Sequence, residues 1–283
     1  MYTISIANQK GGSGKTTTAV NLASCLSMKG YRVLLVDLDP QAQASTYLRV
    51  EERGPKGSVF DALLGKTNTG LPISELGLTV SSGLTLLPST SITPDDEAKL
   101  ASQPNRISRL AESLHEVKGD YDFGVIDCPP TLGVLTQNAL MASNAVLLTV
   151  ETSYLALHGV GRLLELVQHV RREKALRVFA LATMFDGRTA FAREVLNDMR
   201  GYFDEAMLST VIRCNVRLRE SACHGMPIFA YDHASYGAKD YLAMTDEMLG
   251  KIVQGIEEMK RLIPLARPAP SHVRVTGGNR GPA

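Results

Sequence analysis

The sequence predicts an α/β fold, a doubly wound and mainly parallel sheet with helices on both faces. Three observations lead there. Short apolar runs alternate with longer stretches of helical periodicity. The runs are apolar nearly throughout, as in strands covered on both faces, and a glycine-rich turn joins the first strand to the first helix. At 283 residues and 44% hydrophobic content, the chain can fill one large core of this kind without splitting.

Tyr2–Asn8 reads as the first strand. Lys15–Lys29 reads as the first helix, with Ala19, Leu22, Ala23 and Leu26 as its apolar positions and Gly30 as its stop. Arg32–Asp37 is the second strand. Further strands are expected at Leu84–Leu87, Phe123–Asp127, Ala145–Val150, Val178–Met184 and Leu208–Ile212, with helical patterns at 94–117, 156–175, 188–203 and 235–262. Residues 51–83 are rich in Gly, Pro, Ser and Thr and read as an irregular excursion with one short helix, Val59–Leu64. A single domain is expected over 1–263. Residues 264–283 combine prolines and glycines with Arg267, Arg274 and Arg280 and hold no acid, the composition of a flexible, mildly basic tail.

A net charge of +1 does not mark a nucleic-acid binder, so any such contact needs a local patch, for instance one doubled by dimerisation. Cys25, Cys128, Cys214 and Cys223 form no C-x-x-C pair, and the histidines no metal spacing, which argues against a disulfide or metal scaffold. Met1 runs directly into a strand with no charged and then apolar leader, and no apolar run approaches the roughly 20 residues of a membrane span. The expected location is cytoplasmic.

Ligands of such sheets bind at the carboxyl ends of strands, where the loops after Asn8, Asp37 and Asp127 fall along one edge. The first is Lys10-Gly11-Gly12-Ser13-Gly14-Lys15-Thr16-Thr17. Phosphates need several backbone N–H groups converging at the positive end of a helix, and glycines permit that approach. Lys15 then reaches the β- and γ-phosphates, and the Thr16 hydroxyl sits on Mg²⁺. Gln9 replaces the first glycine of the usual pattern, yet the remainder arises by chance in fewer than ~1 in 1,000 chains of this length. Lys10 is an additional lysine, poorly placed to fold back on its own nucleotide. It either reaches a phosphate held by a facing subunit, as arginine fingers do in trans, or is simply solvated. In the second loop Asp37 and Asp39 point to one side if the extended conformation continues, suiting Mg²⁺ ligation or the positioning of a water.

Lys10–Thr17 resembles the deviant Walker A loop of the ParA/MinD family of P-loop ATPases. The resemblance implies ATP and Mg²⁺ as ligands and a sandwich homodimer in which Lys10 crosses to the partner's nucleotide. It implies that Asp39, in the segment matching switch I, orients the attacking water. Asp37 is either structural or near the metal. The apolar strand ending in Asp127 resembles a Walker B element, whose aspartate holds Mg²⁺ through a water. The Cys128–Gly133 segment that follows resembles switch II, and Cys128 is either redox-active or an inert buried thiol.

Residues 183–189, 211–221, 224–228 and 231–241 resemble the chromosomal ParA (Soj) subgroup. That likeness implies adenine contacts at Arg213 and Asn215, although Arg213–Cys214 departs from the Pro-Arg common there. It also implies non-specific double-stranded DNA binding by the ATP dimer, slow ATP hydrolysis, a ParB-type partner and a nucleoid location. Arg188, Arg217 and Arg219 become candidate phosphate contacts, against a plainer reading as solvated helix charges among Glu194, Asp198 and Glu220. Orphan relatives that position protein cargo on the nucleoid share these features. A MinD-like membrane ATPase is disfavoured because Pro264, Pro268 and Pro270 block a continuing C-terminal amphipathic helix. An iron-protein-type reductase lacks a second cysteine near Cys128, and Lys10 counts against a dethiobiotin-synthetase-like ligase.

Overall fold

The computed structural model describes residues 1–50, 56–65, 72–153 and 160–262, the last five by backbone alone. Among them the apolar runs assemble into β1 (Tyr2–Ala7), β2 (Val33–Asp37), β3 (Leu78–Ser81), β4 (Leu84–Leu87), β5 (Phe123–Asp127), β6 (Ala145–Glu151), β7 (Arg177–Phe185) and β8 (Met207–Arg213). They form one sheet in the order β3-β4-β2-β5-β1-β6-β7-β8. Every neighbouring pair is parallel except β3 with β4, a hairpin at the sheet edge that turns at Gly83. The predicted fold class is the observed one.

The helices in chain order are α1 (Lys15–Met28), α2 (Gln43–Tyr47), α3 (Val59–Leu64), α4 (Ile73–Leu76), α5 (Pro94–Ser102) and α6 (Arg109–Glu116). They continue with α7 (Val134–Ala142), α8 (Val160–Glu173), α9 (Ala190–Phe203), α10 (Val216–Cys223), α11 (Ile228–Asp232) and α12 (Tyr236–Leu262). Both faces of the sheet are covered. Val36, Ile126 and Leu148 pack with Leu114, Leu135 and Leu163 from α6, α7 and α8 on one side. Leu35, Val125 and Leu147, of opposite parity along their strands, are equally buried, and α1 lies across β2 and β5. This two-sided burial is why the strands read as unbroken apolar runs.

The helical pattern predicted over 94–117 is two helices. Pro104 cannot donate a backbone N–H and disfavours helix in the residue before it, and Gln103 is accordingly extended. The excursion at 51–83 contains the expected α3, with α4 and β3 in addition. Two compact units divide the chain, Met1–Met248 and the segment from Leu249 onward, so the boundary falls inside α12. The tail expected over 264–283 lies outside the described residues.

The orientation of α1 is fixed by polar groups on its flank. The Asn21 side chain accepts from the Ile228 N–H at 2.7 Å and donates to the Thr17 carbonyl at 2.8 Å. The Tyr241 hydroxyl, on a side chain only 1% exposed, lies 3.1 Å from Thr18 Oγ1. Tyr241→Phe therefore strips a buried hydrogen bond from the helix that carries the phosphate loop. The expected cost is about 1–2 kcal/mol, read as a lower urea midpoint at unchanged slope.

Candidate functional site

β1 ends in the middle of the sheet, between β5 and β6. The chain then turns through residues 8–14 into α1. Gly12 and Gly14 sit at φ +74° and +87°, the left-handed region that side-chain-bearing residues enter at a cost. Gly14 is the N-cap of α1, with no side-chain cap and no acid in the first turn, so the leading N–H groups are open to an anion. The loop is braced from below by its neighbours. Asn8 Nδ2 donates to the Thr149 carbonyl, while its Oδ1 accepts the Lys10 N–H at 2.9 Å. The Ser13 hydroxyl lies 3.2 Å from Thr149 Oγ1, and Thr183 Oγ1 donates to the Ser13 carbonyl at 2.9 Å.

Lys15 is 7% exposed, and its Nζ reaches the Lys10 carbonyl at 3.2 Å, curling over the loop. Burial pulls its pKa down, opposed by Asp127, Cys128 and Asp39. The carboxyl ends of β2 and β5 bring Asp37 and Asp127 into direct register. Their environments differ. Asp37 accepts from the Ser45 N–H at 2.8 Å, from Ser45 Oγ at 2.7 Å and from the Asp39 N–H at 3.3 Å. These bonds shape the turn into α2, so the structure gives Asp37 an organising role. Burial still pushes its pKa up to about 6. Asp127 is fully buried, and neither oxygen has a hydrogen-bond partner among the described residues. Burial first, then the Asp37 charge, raises its pKa well above the ordinary value, while nearby Thr16 and Lys15 pull the other way.

An orphaned buried carboxylate is where a cation fits the charge balance. The Thr16 hydroxyl, 3.3 Å from Gln43 Oε1, is the second oxygen donor at this end. Among the described residues no three acidic, histidine or cysteine side chains form a metal cage. One hydroxyl and one carboxylate suit Mg²⁺, which keeps waters and phosphate oxygens in its shell. Asp39 is buried; it accepts the Gln41 N–H at 2.9 Å, and burial raises its pKa. Cys128 is buried, with its thiol pushed far up by desolvation, so it is the inert alternative that holds.

Lys10 is partly exposed and ion-paired. Its ammonium pairs with the Glu151 carboxylate at the end of β6 and donates to Ser153 Oγ at 3.1 Å. Glu151 escaped the sequence reading, which ended that strand at Val150. An acid at the carboxyl end of a strand beside the loop was the available signal.

From the loop a cavity of about 590 Å³ runs between Thr17, Tyr47 and Tyr241 toward Asn215 and Arg219, a volume suited to a nucleotide-sized ligand. A smaller one of about 210 Å³ touches Gly12, Lys15 and Gln43. Met184 lines both, at a left-handed φ of 54°, with its carbonyl held by Thr152 Oγ1 at 3.2 Å; nothing in the sequence marked it. Arg213 and Asn215 line the larger cavity. The Arg213 guanidinium, however, is taken up by Asp240 and lies 4.2 Å over the Tyr236 ring. The Asn215 side-chain oxygen caps α10 by accepting the Arg217 N–H.

The three arginines assigned to DNA occupy different settings. Arg188 pairs with Asp186, and Arg217 with Glu220 and Asp232, while Arg219 lines the cavity. No helix among the described residues is long and apolar enough to cross a membrane.

Comparisons with known proteins accord with this geometry. A family model described as an AAA domain matches residues 1–178. The chain is 41% identical over 248 residues to the sporulation initiation inhibitor protein Soj of Bacillus subtilis, covering 87% of this chain and 97% of that one. It is 40% identical over 250 residues to the chromosome partitioning protein ParA of Myxococcus xanthus, covering 87% of each. A crystal structure described as cobyrinic acid a,c-diamide synthase of Mycobacterium smegmatis, with a bound ATP analog and magnesium, superposes with a TM-score of 0.77 at 32% identity. That match covers 90% of this chain and 97% of the other. The phosphate loop, the paired carboxylates at the strand ends and similarity along most of its length place the chain in the Soj/ParA family of chromosome-partitioning P-loop ATPases.

Proposed function

We propose that the chain is a slow ATP switch for segregating chromosome or plasmid DNA. Two subunits close face to face over ATP, and the dimer binds double-stranded DNA without sequence preference. Hydrolysis, stimulated by DNA and a ParB-type partner, then releases it on the nucleoid. The observation that carries this reading is the pair of lysines in one phosphate loop. Lys15 curls over its own loop, whereas Lys10 is turned to Glu151 and Ser153. A loop that already has its phosphate lysine uses the second in trans.

Each residue has a separate task. The open N–H groups of α1 and Lys15 grip the phosphates. Lys10 exchanges Glu151 for the nucleotide of the facing subunit. Asp39, fixed by the Gln41 N–H, positions the attacking water. Thr16 and Asp127 would hold Mg²⁺, and Asp37 keeps the turn bearing Asp39 in shape. Bound Mg²⁺ neutralises charge on the phosphate oxygens during transfer. Asn215 and the backbone at Arg213 face the base. Arg188 and Arg217 meet DNA phosphates by exchanging their own acids for them, and two-fold symmetry doubles the patch. Arg219, on the cavity wall, would face the nucleotide rather than DNA.

Asp39→Ala should keep ATP binding, dimerisation and ATP-dependent DNA binding while hydrolysis falls about a hundredfold or more. Sedimentation and phosphate release check this; a variant that stays monomeric with ATP, or a wild-type chain that binds DNA equally with ADP, would sink the switch. Lys10→Ala should bind a fluorescent ATP analogue yet lose about a hundredfold or more in turnover, and normal turnover returns Lys10 to a structural ion pair. Because burial raises the folded pKa of Asp127, its charge destabilises the nucleotide-free fold increasingly as pH rises through the carboxylate range. Asp127→Asn should therefore raise the melting temperature of the nucleotide-free chain at neutral pH, flatten that pH dependence, and weaken the Mg²⁺ requirement of nucleotide binding.

A further inference from the structure

The wall of the larger cavity carries two thiols. Cys214 follows β8, Cys223 closes α10, and both line the same 590 Å³ space. Both are exposed, whereas Cys25 and Cys128 are buried. The surroundings differ in the same sense. Arg213 and Arg219 share the cavity wall with the exposed pair, and Arg188 stands close enough to Cys214 for their charges to interact. Exchange needs the thiolate, and burial disfavours it at the other two thiols, pushing Cys25 up to about 11 and Cys128 higher still.

Cys223 also adjoins the segment that follows Asp39. The Arg49 guanidinium donates to the Cys223 carbonyl at 2.7 Å, and the Tyr47 hydroxyl lies 2.8 Å from Ser221 Oγ. A group attached to Cys223 would occupy the cavity next to this segment. A group on Cys214 projects from the strand end beside Asn215.

We propose that Cys214 and Cys223 form a thiol-modification site inside the nucleotide cavity, where a small disulfide such as oxidised glutathione forms a mixed disulfide that excludes the nucleotide. This rests on the assignment of that cavity to the nucleotide. In the step, a cysteine thiolate attacks one sulfur of the small disulfide. The new S–S bond forms as the old one breaks, and the departing glutathione thiolate takes up a proton. The protein sulfur is oxidised and the released half reduced, so no further oxidant is needed. Excess thiol reverses the exchange. The ATP switch would then be held off while the small-disulfide pool is high.

The test treats the full chain with excess oxidised glutathione and measures binding of a fluorescent ATP analogue with Mg²⁺. Peptide mass mapping should find the adduct on Cys214 or Cys223 and not on Cys25 or Cys128. Affinity should drop by about tenfold or more, recover with dithiothreitol, and be protected by saturating nucleotide beforehand. The Cys214→Ser/Cys223→Ser double variant should show no drop relative to its own untreated sample, and the single variants show which thiol carries the effect. An adduct without loss of affinity, no protection by nucleotide, no adduct, or a Cys214–Cys223 disulfide in its place overturns the proposal. If the untreated wild-type chain fails to bind the analogue, the cavity assignment itself falls, which separates the two failures.

Discussion

A loop that must offer bare backbone to an anion depends on neighbouring strands to hold it. Gly12 and Gly14 have no side chains, and the first N–H groups of α1 have to stay free. The constraint passes to the neighbours. Thr149 on β6 holds Asn8 and Ser13, and Thr183 on β7 holds the Ser13 carbonyl. These contacts require β1, β6 and β7 in one parallel register, which in turn requires helices on both faces of the sheet.

Electrostatics at the strand ends follows from the same packing. Parallel registration puts Asp37 directly beside Asp127, both removed from water. Three hydrogen bonds satisfy Asp37, and among the described residues none satisfies Asp127. Lys15 adds positive charge that burial itself disfavours. On the proposed function, phosphate would complete the lysine and a cation the aspartate. Ligand affinity and the instability of the nucleotide-free site are two readings of one arrangement.

Local patterns were legible in the sequence, and long-range partners were not. The Gly-Gly-Ser-Gly-Lys-Thr string and the aspartates ending β2 and β5 lie in contiguous segments whose spacing carries their chemistry. Glu151, Thr149 and Thr183 support that loop from more than a hundred residues away, so no window around Lys10 contains them. The break between α5 and α6 was visible in Pro104 and was overridden by the apolar periodicity on either side. β3 was hidden because an edge strand with one face in solvent lacks the apolar run by which the others were recognised. Arg213 shows a different limit. The family resemblance marked it as an adenine contact, but only the fold brings Asp240, 27 residues on, against its guanidinium.

The ion pair between Lys10 and Glu151 changes the accounting of any contact Lys10 makes elsewhere. A free ammonium would gain the whole of a new electrostatic attraction. An ammonium already neutralised at home gains only the difference between two partners, because one bond is traded for another. Glu151 is therefore a tethered competitor, present at a fixed and high effective concentration on the same chain. Only a ligand with more negative charge than one carboxylate outbids it, and a triphosphate carries several. On the proposed trans role of Lys10, the lysine would discriminate by ligand charge: it would contribute little to how tightly two chains hold each other, and much to what must lie between them.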